Sequence, residues 1–318
     1  MISRHHLLAW MKVKSAAVVA ICDPETSRAA ARGAEFNIAA NYRGVAEMLA
    51  RERLDAVDVA SPPETHADVV RLCAHHQVSV LCQKPLTPSL AQAEQLVAEV
   101  TGTIRLMVHE NWRFRPYFRT IKKWLQEDRL GTIGACRLAY RSSGLLPQAD
   151  GVRPALARQP RIQFEQHLMM REILIHHLDV VRWLLGPMQV VGAVGAAMVP
   201  DIRGETSATI LLRTESGVPI IVEGNMAAAG LPARATDHVE LMGERASVLF
   251  AEGHLERLGE DPERLTFDLD AAYQASFDHA VRHFAECLTS GAAFETDARE
   301  NLATLRLLDA AERAAGLS

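Results

Sequence analysis

Residues 54–85 read LDAVDVASPPETHADVVRLCAHHQVSVLCQKP, and the rhythm of this stretch decides the fold. LDAVDVAS is short, apolar and bounded by turn residues, which predicts a strand. HADVVRLCAHH carries apolar residues at helical spacing, and VSVLC is a second apolar strand that runs into a lysine and a proline. A strand, a helix and a strand of these lengths make a right-handed βαβ unit. The same alternation extends both ways. Upstream, VKSAAVVAIC predicts a strand ending at Asp23, while ETSRAAARGAEF and GVAEMLARERL predict helices. Downstream, SLAQAEQLVAEV predicts a helix and TIRLMV a strand. Strands this apolar, set between helices, predict a parallel sheet covered on both faces.

After residue 112 the rhythm changes. PYFRTIKKWLQED predicts a helix and GTIGACRLAYRSS a long strand. Residues 144–163, rich in Pro, Arg and Gln, predict a mobile surface loop. An amphipathic helix is expected over 168–185, stopped by Gly186-Pro187. From 189 to 267, β-branched runs separated by ESG, MGER and AEGH predict a mainly antiparallel sheet, and two helices near 273–290 and 297–315 close the chain. The expected fold class is α/β: a Rossmann-type doubly wound parallel sheet, then an α+β domain with an open, mainly antiparallel sheet. The expected division is 1–112 for the dinucleotide-binding domain and 113–318 for substrate binding and oligomerisation.

Bulk properties narrow the function classes. With 48% hydrophobic residues in 318, the chain buries a sizeable core, and its length suits two domains of ~150 residues. A net charge of -5 and the lack of a dense Lys/Arg stripe argue against a nucleic-acid partner. The five cysteines (Cys22, Cys73, Cys82, Cys136 and Cys287) are scattered without a CxxC pair. They read as small core residues in a reducing compartment rather than as disulfides or zinc ligands. No apolar run approaches the ~18 residues of a membrane span, and MISRHHLLAWMKVKS lacks the pattern of a signal peptide. A cytoplasmic protein with no membrane partner is expected.

A doubly wound sheet binds its ligand at the carboxyl ends of its strands, so the residues there are the first candidates. Asp23 follows the first readable strand and suits the ribose hydroxyls of a dinucleotide; an Asp capping the next turn is the other reading. An acidic residue there repels a 2′-phosphate and favours NAD, while Arg28 keeps NADP open. SPPETH, with Ser61, Pro62, Pro63 and His66, makes either a rigid ledge for a flat ring or an ordinary turn into a helix. Gln83, Lys84 and Pro85 follow VSVLC. In ENWRFRP, Asn111 and Arg113 donate either to a cofactor or substrate or within a satisfied hinge. The glycine turn that should open the fold is not readable; Ser3 falls at its last position, with His5 to Leu8 beginning the helix. The missing strand belongs at the centre of the sheet, so the expectation is a start roughly 8 to 12 residues further upstream.

Farther along, Glu172, His176 and Asp179 stand at i, i+4 and i+7 on one helical face. That spacing suits a salt-bridge ladder as well as a reactive histidine flanked by carboxylates. A metal reading lacks a further ligand, and His177, a quarter-turn away, reads as structural.

These motifs together resemble the Gfo/Idh/MocA family of NAD(P)-dependent oxidoreductases. The resemblance runs through ICDPETSRA, LDAVDVASPPETHADVV, VLCQKPLTPSLAQAEQLV and MVHENWRFRP, then IHHLDVVRWLLG, HVELMGERASVLF and the closing FAECLTSGAAFETDARENLATLRLLDAAERA. It implies NAD or NADP at the strand ends, a sugar or polyol substrate between the domains, and a homodimer or homotetramer built through the open sheet. The family's E-K-P motif falls on Gln83, Lys84 and Pro85, with the lysine at substrate hydroxyl and cofactor and an often cis Lys-Pro bond. Its Asp-x3-His motif falls on Glu172 and His176, the histidine being the usual proton acceptor. Two positions depart: Gln83 removes a negative charge beside Lys84, and Glu172 is one methylene longer than aspartate. The implied chemistry is hydride transfer from a secondary alcohol, with Lys84 stabilising the developing oxyanion and His176 taking the proton. Glu172 orients His176 or binds substrate, and Pro85 and Asp179 are supporting residues. A dinucleotide-binding sensor, or a redox-neutral hydrolase or epimerase with tightly held NAD, would use the same residues.

Overall fold

The alternation of apolar strands and helix-forming segments resolves, in a computed structural model of the chain, into βαβ units followed by a broad second sheet. The structure describes residues 2–234 and 236–317. Two units are distinguished: Met1–Phe114 with Tyr273–Ala303, and Arg115–Ala272 with Thr304–Ser318.

In the first unit, helix α1 (Ile2–Trp10) precedes strand β1 (Ala20–Cys22), α2 (Thr26–Phe36), β2 (Ala40–Tyr42) and α3 (Val45–Arg51). Then come β3 (Ala56–Val59), α4 (Pro63–His75), β4 (Ser79–Gln83), α5 (Leu90–Val100) and β5 (Leu106–His109). These strands pair in parallel, in two ladders, β1–β2 and β3–β4–β5. Among the described residues no strand pairs with both β1 and β3, and that is where the sequence leads one to expect the central strand. β1 is shorter than VKSAAVVAIC suggests because its partner offers only Ala40 to Tyr42. Val80, Leu81 and Cys82 of β4 have no exposure, as a strand covered on both faces requires. Pro63 occupies the first turn of α4, where its missing N–H costs nothing, and Ser89 caps α5 through the Gln92 amide.

This unit departs from the expected division at 112/113. It also takes in Tyr273–Ala303, drawn from α9 (Leu269–Ser290) and the start of α10 (Ala298–Ala314). Phe277, Val281 and Phe284 of α9 join Ala9, Leu81 and Met107 in one apolar cluster. The backbone N–H of Val108 donates to the Thr296 carbonyl at 2.8 Å, and Thr296 Oγ1 donates back to the Val108 carbonyl at 2.6 Å. Periodicity marks a helix's apolar stripe but not which core it covers, so the return of the chain is not readable beforehand.

In the second unit, α6 (Pro116–Gln126), β6 (Ile133–Arg141), α7 (Pro154–Arg158), a π-helical turn at Met169–Leu174 and α8 (Ile175–Leu185) precede seven further strands. These are β7 (Met188–Ala196), β8 (Ser207–Thr214), β9 (Pro219–Asn225), β10 (Thr236–Gly243), β11 (Ala246–Ala251), β12 (His254–Gly259) and β13 (Glu263–Thr266). They form one eight-stranded sheet in the order β13-β12-β11-β10-β6-β9-β8-β7, antiparallel except between β6 and β9. Burial alternates along β8 and β9 with the period of two that one covered face demands. Ile210, Val222, Leu241 and Phe250 point into the core, while Leu211, Ile221, Leu249 and Leu258 lie exposed on the other face.

Two expectations are corrected here. Residues 144–163 are not a bare loop: they hold α7 and a 3₁₀ turn, with Leu145 and Ile162 buried. The helix expected over 168–185 is not one amphipathic α-helix. It opens with the π turn, and every residue from Ile175 to Val181 is buried, so burial on all sides replaces a single apolar stripe.

Candidate active site

The carboxyl ends of β1, β3, β4 and β5 carry most of the candidates of the first unit. Asp23, half-buried after β1, accepts the Glu25 amide through Oδ1 at 2.8 Å, so it caps its turn. Ser61 and Pro62 are exposed after β3, and Ser61 Oγ shares a hydrogen bond of 2.6 Å with Thr65 Oγ1. Pro62 and Pro63 start α4. Ser3 lies half-buried in the first turn of α1.

Gln83 ends β4, Lys84 is half-buried, and the Lys84–Pro85 peptide is cis. His66 lies fully buried between two of these loops, its Nδ1 at 3.0 Å from the Pro85 carbonyl and its Nε2 at 2.9 Å from that of Ser61. Desolvation holds its imidazole below the ordinary histidine value although both carbonyls favour a proton. His66 therefore ties the ledge after β3 to the turn carrying Lys84 instead of reaching outward to a ligand.

Asn111 and Arg113 donate to partners inside the unit. Asn111 Nδ2 donates to Ser276 Oγ at 2.7 Å. Arg113, 1% exposed, donates to the Glu295 carbonyl at 2.9 Å and stands 3.4 Å from Glu300 Oε2. These contacts correspond to a satisfied hinge, and they bind the returning segment to the strand ends.

In the second unit His176 is buried near the start of α8, one turn beyond Glu172 in the π turn. Arg161 donates to both Glu172 oxygens at 3.1 Å and also pairs with Glu165. The π turn has its own anchor. The buried Glu205 carboxylate accepts the backbone N–H groups of Leu168 at 3.2 Å and Met170 at 2.9 Å, and the Glu205 carbonyl accepts that of Met169. An anion on the free amides of a helix start is the favourable arrangement. Below it lies Gly224 of β9, where an added Cβ would stand 3.0 Å from Leu174 Cδ2 and 3.1 Å from Met169 Cγ.

Asp179 is buried and accepts from Thr304 Oγ1 at 3.1 Å, which fits a supporting residue. His177 Nε2 lies 3.1 Å from Asp237 Oδ1, whose other oxygen takes Arg115 and Tyr117. The nearby Arg115 and the hydrogen bonds hold the Asp237 carboxyl below its usual range despite its burial. Arg161, Glu205 and Gly224 escaped the sequence reading because none has a local pattern: each acts through a partner distant in the chain. No group of three or more metal-ligating side chains occurs among the described residues.

Residues 1–109 match the oxidoreductase family with an NAD-binding Rossmann fold, and residues 118–249 match the GFO/IDH/MocA C-terminal domain. The chain is 33% identical to a D-apiose dehydrogenase of Paraburkholderia graminis over 97% of its own length and 83% of that protein. It is 25% identical to an inositol 2-dehydrogenase of Rhizobium meliloti over 98% of the chain and 93% of that protein. Among solved structures, an oxidoreductase from Agrobacterium radiobacter in complex with NAD+, L-tartaric acid and magnesium superposes with a TM-score of 0.92 at 27% identity, covering 99% of this chain and 93% of that one. The strand ends suit the cofactor that the family binds: a carboxylate after β1, a flat exposed ledge after β3 and an ammonium group after β4 all stand at the carboxyl ends of parallel strands. On both halves of its length, then, this chain belongs to the GFO/IDH/MocA family of NAD-binding oxidoreductases.

Proposed function

We propose that the protein is an NAD-dependent dehydrogenase of a sugar or polyol, acting on a secondary alcohol, and that Lys84 and His176 serve the reacting hydroxyl. The observation that carries this reading is the ammonium group of Lys84, half-buried at the carboxyl end of a central strand, in a chain alike over nearly its full length to a D-apiose dehydrogenase. NAD, when bound, supplies the hydride acceptor. Lys84 stabilises charge developing on the substrate oxygen, an effect that grows where water is excluded. His176 takes the hydroxyl proton, as suits an imidazole whose ordinary pKa is ~6.5. Glu172, gripped by Arg161, sets the polar surroundings of His176 and offers hydroxyl acceptors to a polyol. Asp23, Ser61, Pro62 and Pro63 bear on the dinucleotide, with Asp23 favouring NAD over NADP.

The chain works as a homodimer or homotetramer through the exposed apolar face of the eight-stranded sheet, where Leu211 and Ile221 stand side by side, and in the cytoplasm. The test is absorbance at the reduced-nicotinamide band with NAD or NADP and a panel containing D-apiose, myo-inositol and related sugars and acids. Accumulation of NADH with at least one member is expected. No reduction of either cofactor across the panel would defeat the reading.

A further inference from the structure

Behind Lys84 the first unit contains a polar set, centred on the half-buried Gln83 amide, in which two buried histidines face one side chain. Gln83 Nε2 lies 2.7 Å from His6 Nε2 and 3.0 Å from His109 Nδ1. Its Oε1 accepts the backbone N–H of Lys84 at 3.2 Å. That backbone group can only donate, so it fixes the amide with its oxygen toward Lys84 and its two hydrogens toward the imidazoles. Both facing ring nitrogens must then be lone pairs.

The other side of His6 agrees. Its Nδ1 is 2.8 Å from Asp58 Oδ2, which also accepts Trp10 Nε1 at 2.7 Å. A carboxylate needs a proton on that nitrogen, which leaves Nε2 bare for Gln83. The Gln83 contact leaves the proton of His109 on Nε2, a buried nitrogen with no partner among the described residues, and burial pushes the imidazole well below the ordinary histidine value. The two rings lie 4.3 Å apart with Phe277 against both. Around the set, α1 contributes His6 and Trp10, β3 the acid Asp58, β5 His109, α9 the apolar Phe277, and β4 Gln83 with Lys84 next to it.

We propose that Gln83 is a positioning residue for Lys84, and that a glutamine is required there because His6, already donating to Asp58, faces it as an acceptor, while His109 takes the tautomer that lets the same amide donate to it. A glutamate in its place has no hydrogen to give either ring. His6, already donating to Asp58, would need a second proton, and a new carboxylate and an imidazolium would be buried beside the Lys84 ammonium. The glutamine thus adds no charge beside Lys84 and holds its backbone by the amide oxygen. The proposal rests on Lys84 as the cation at the reacting oxygen, but the proton order is independent of it.

Two measurements on the full chain decide. Nitrogen NMR of ¹⁵N-histidine-labelled protein near neutral pH should show His109 protonated on Nε2 alone and His6 on Nδ1 alone, with His109→Gln used for assignment. A doubly protonated ring, or the opposite tautomer at either, overturns the proposal. Gln83→Glu should lower kcat by at least roughly tenfold, about 1.4 kcal/mol of barrier, with KM for NAD nearly unchanged, and should add a limb to the pH–rate profile. Adding His109→Gln, whose amide hydrogens can meet the carboxylate, should restore part of the loss. Unchanged kcat and pH profile in Gln83→Glu would also overturn it. Should the unaltered chain show the predicted tautomers but turn over no substrate, the dehydrogenase reading falls and with it the role assigned toward Lys84, while the proton order stands.

Discussion

Lys84 and His176 are expected to matter for turnover far more than for folding. Replacing either by alanine should lower kcat by ~10²- to 10³-fold, the usual loss when a charge-stabilising or proton-accepting group is removed. The circular-dichroism spectrum and thermal midpoint should stay close to those of the parent. On the role proposed for Asp23, Asp23→Ser should raise KM for NAD and narrow the NAD-to-NADP preference, read from kcat/KM with each. His66 predicts a pH dependence of stability. Its folded value is depressed, so around its ordinary value of ~6.5 the unfolded chain binds more protons. The stability it contributes is present above that pH and is lost as pH falls toward the folded value. Buried His109 acts with the same sign. The thermal midpoint should therefore fall between about pH 7.5 and about pH 5.5, and His66→Gln should flatten part of that fall.

At the scale of elements, the π turn at Met169–Leu174 is what aims Glu172 and leads into His176. It has wider hydrogen-bond spacing than an α-helix, and such turns persist where neighbours hold them. Glu205 holds this one from its amino end and Gly224 from below. Glu205→Ala leaves buried N–H groups without their acceptor, a loss of about 1–3 kcal/mol. Gly224→Ala forces buried Met169 and Leu174 aside, an overpacking cost of about 1–3 kcal/mol. Both variants should lower the urea midpoint, and both should lower kcat in the protein that remains folded. Full activity in Gly224→Ala would mean that the close approach of the π turn to β9 has no bearing on the chemistry.

For the whole molecule, the open face of the second sheet is the feature the single chain leaves unaccounted for. Leu211, Ile221, Leu249 and Leu258 are exposed there, near Arg137, Arg141 and their shared partner Glu223. An apolar face rimmed by charges is the usual mark of an association surface. Ile221→Glu with Leu211→Lys should reduce the mass measured by light scattering to that of one chain while the fold remains. An unchanged assembly would place the interface elsewhere.

Much of this was legible in the linear chain. The order of strands and helices and the lysine after β4 followed from local periodicity and neighbouring residues, because burial of one face or one stripe is written in the residues of the element itself. The single helical face expected for Glu172 and His176 did not, since a π turn carries Glu172 and α8 is buried on all sides. What the tertiary structure alone decided is which polar groups are already engaged. Arg113 holds Glu295 and Glu300, Asn111 holds Ser276, His66 ties two loops, and Gln83 donates to a histidine from α1 and another from β5. Such pairings join residues far apart in sequence, and a buried donor's partner is set by the approach of other elements, on which local periodicity carries no information.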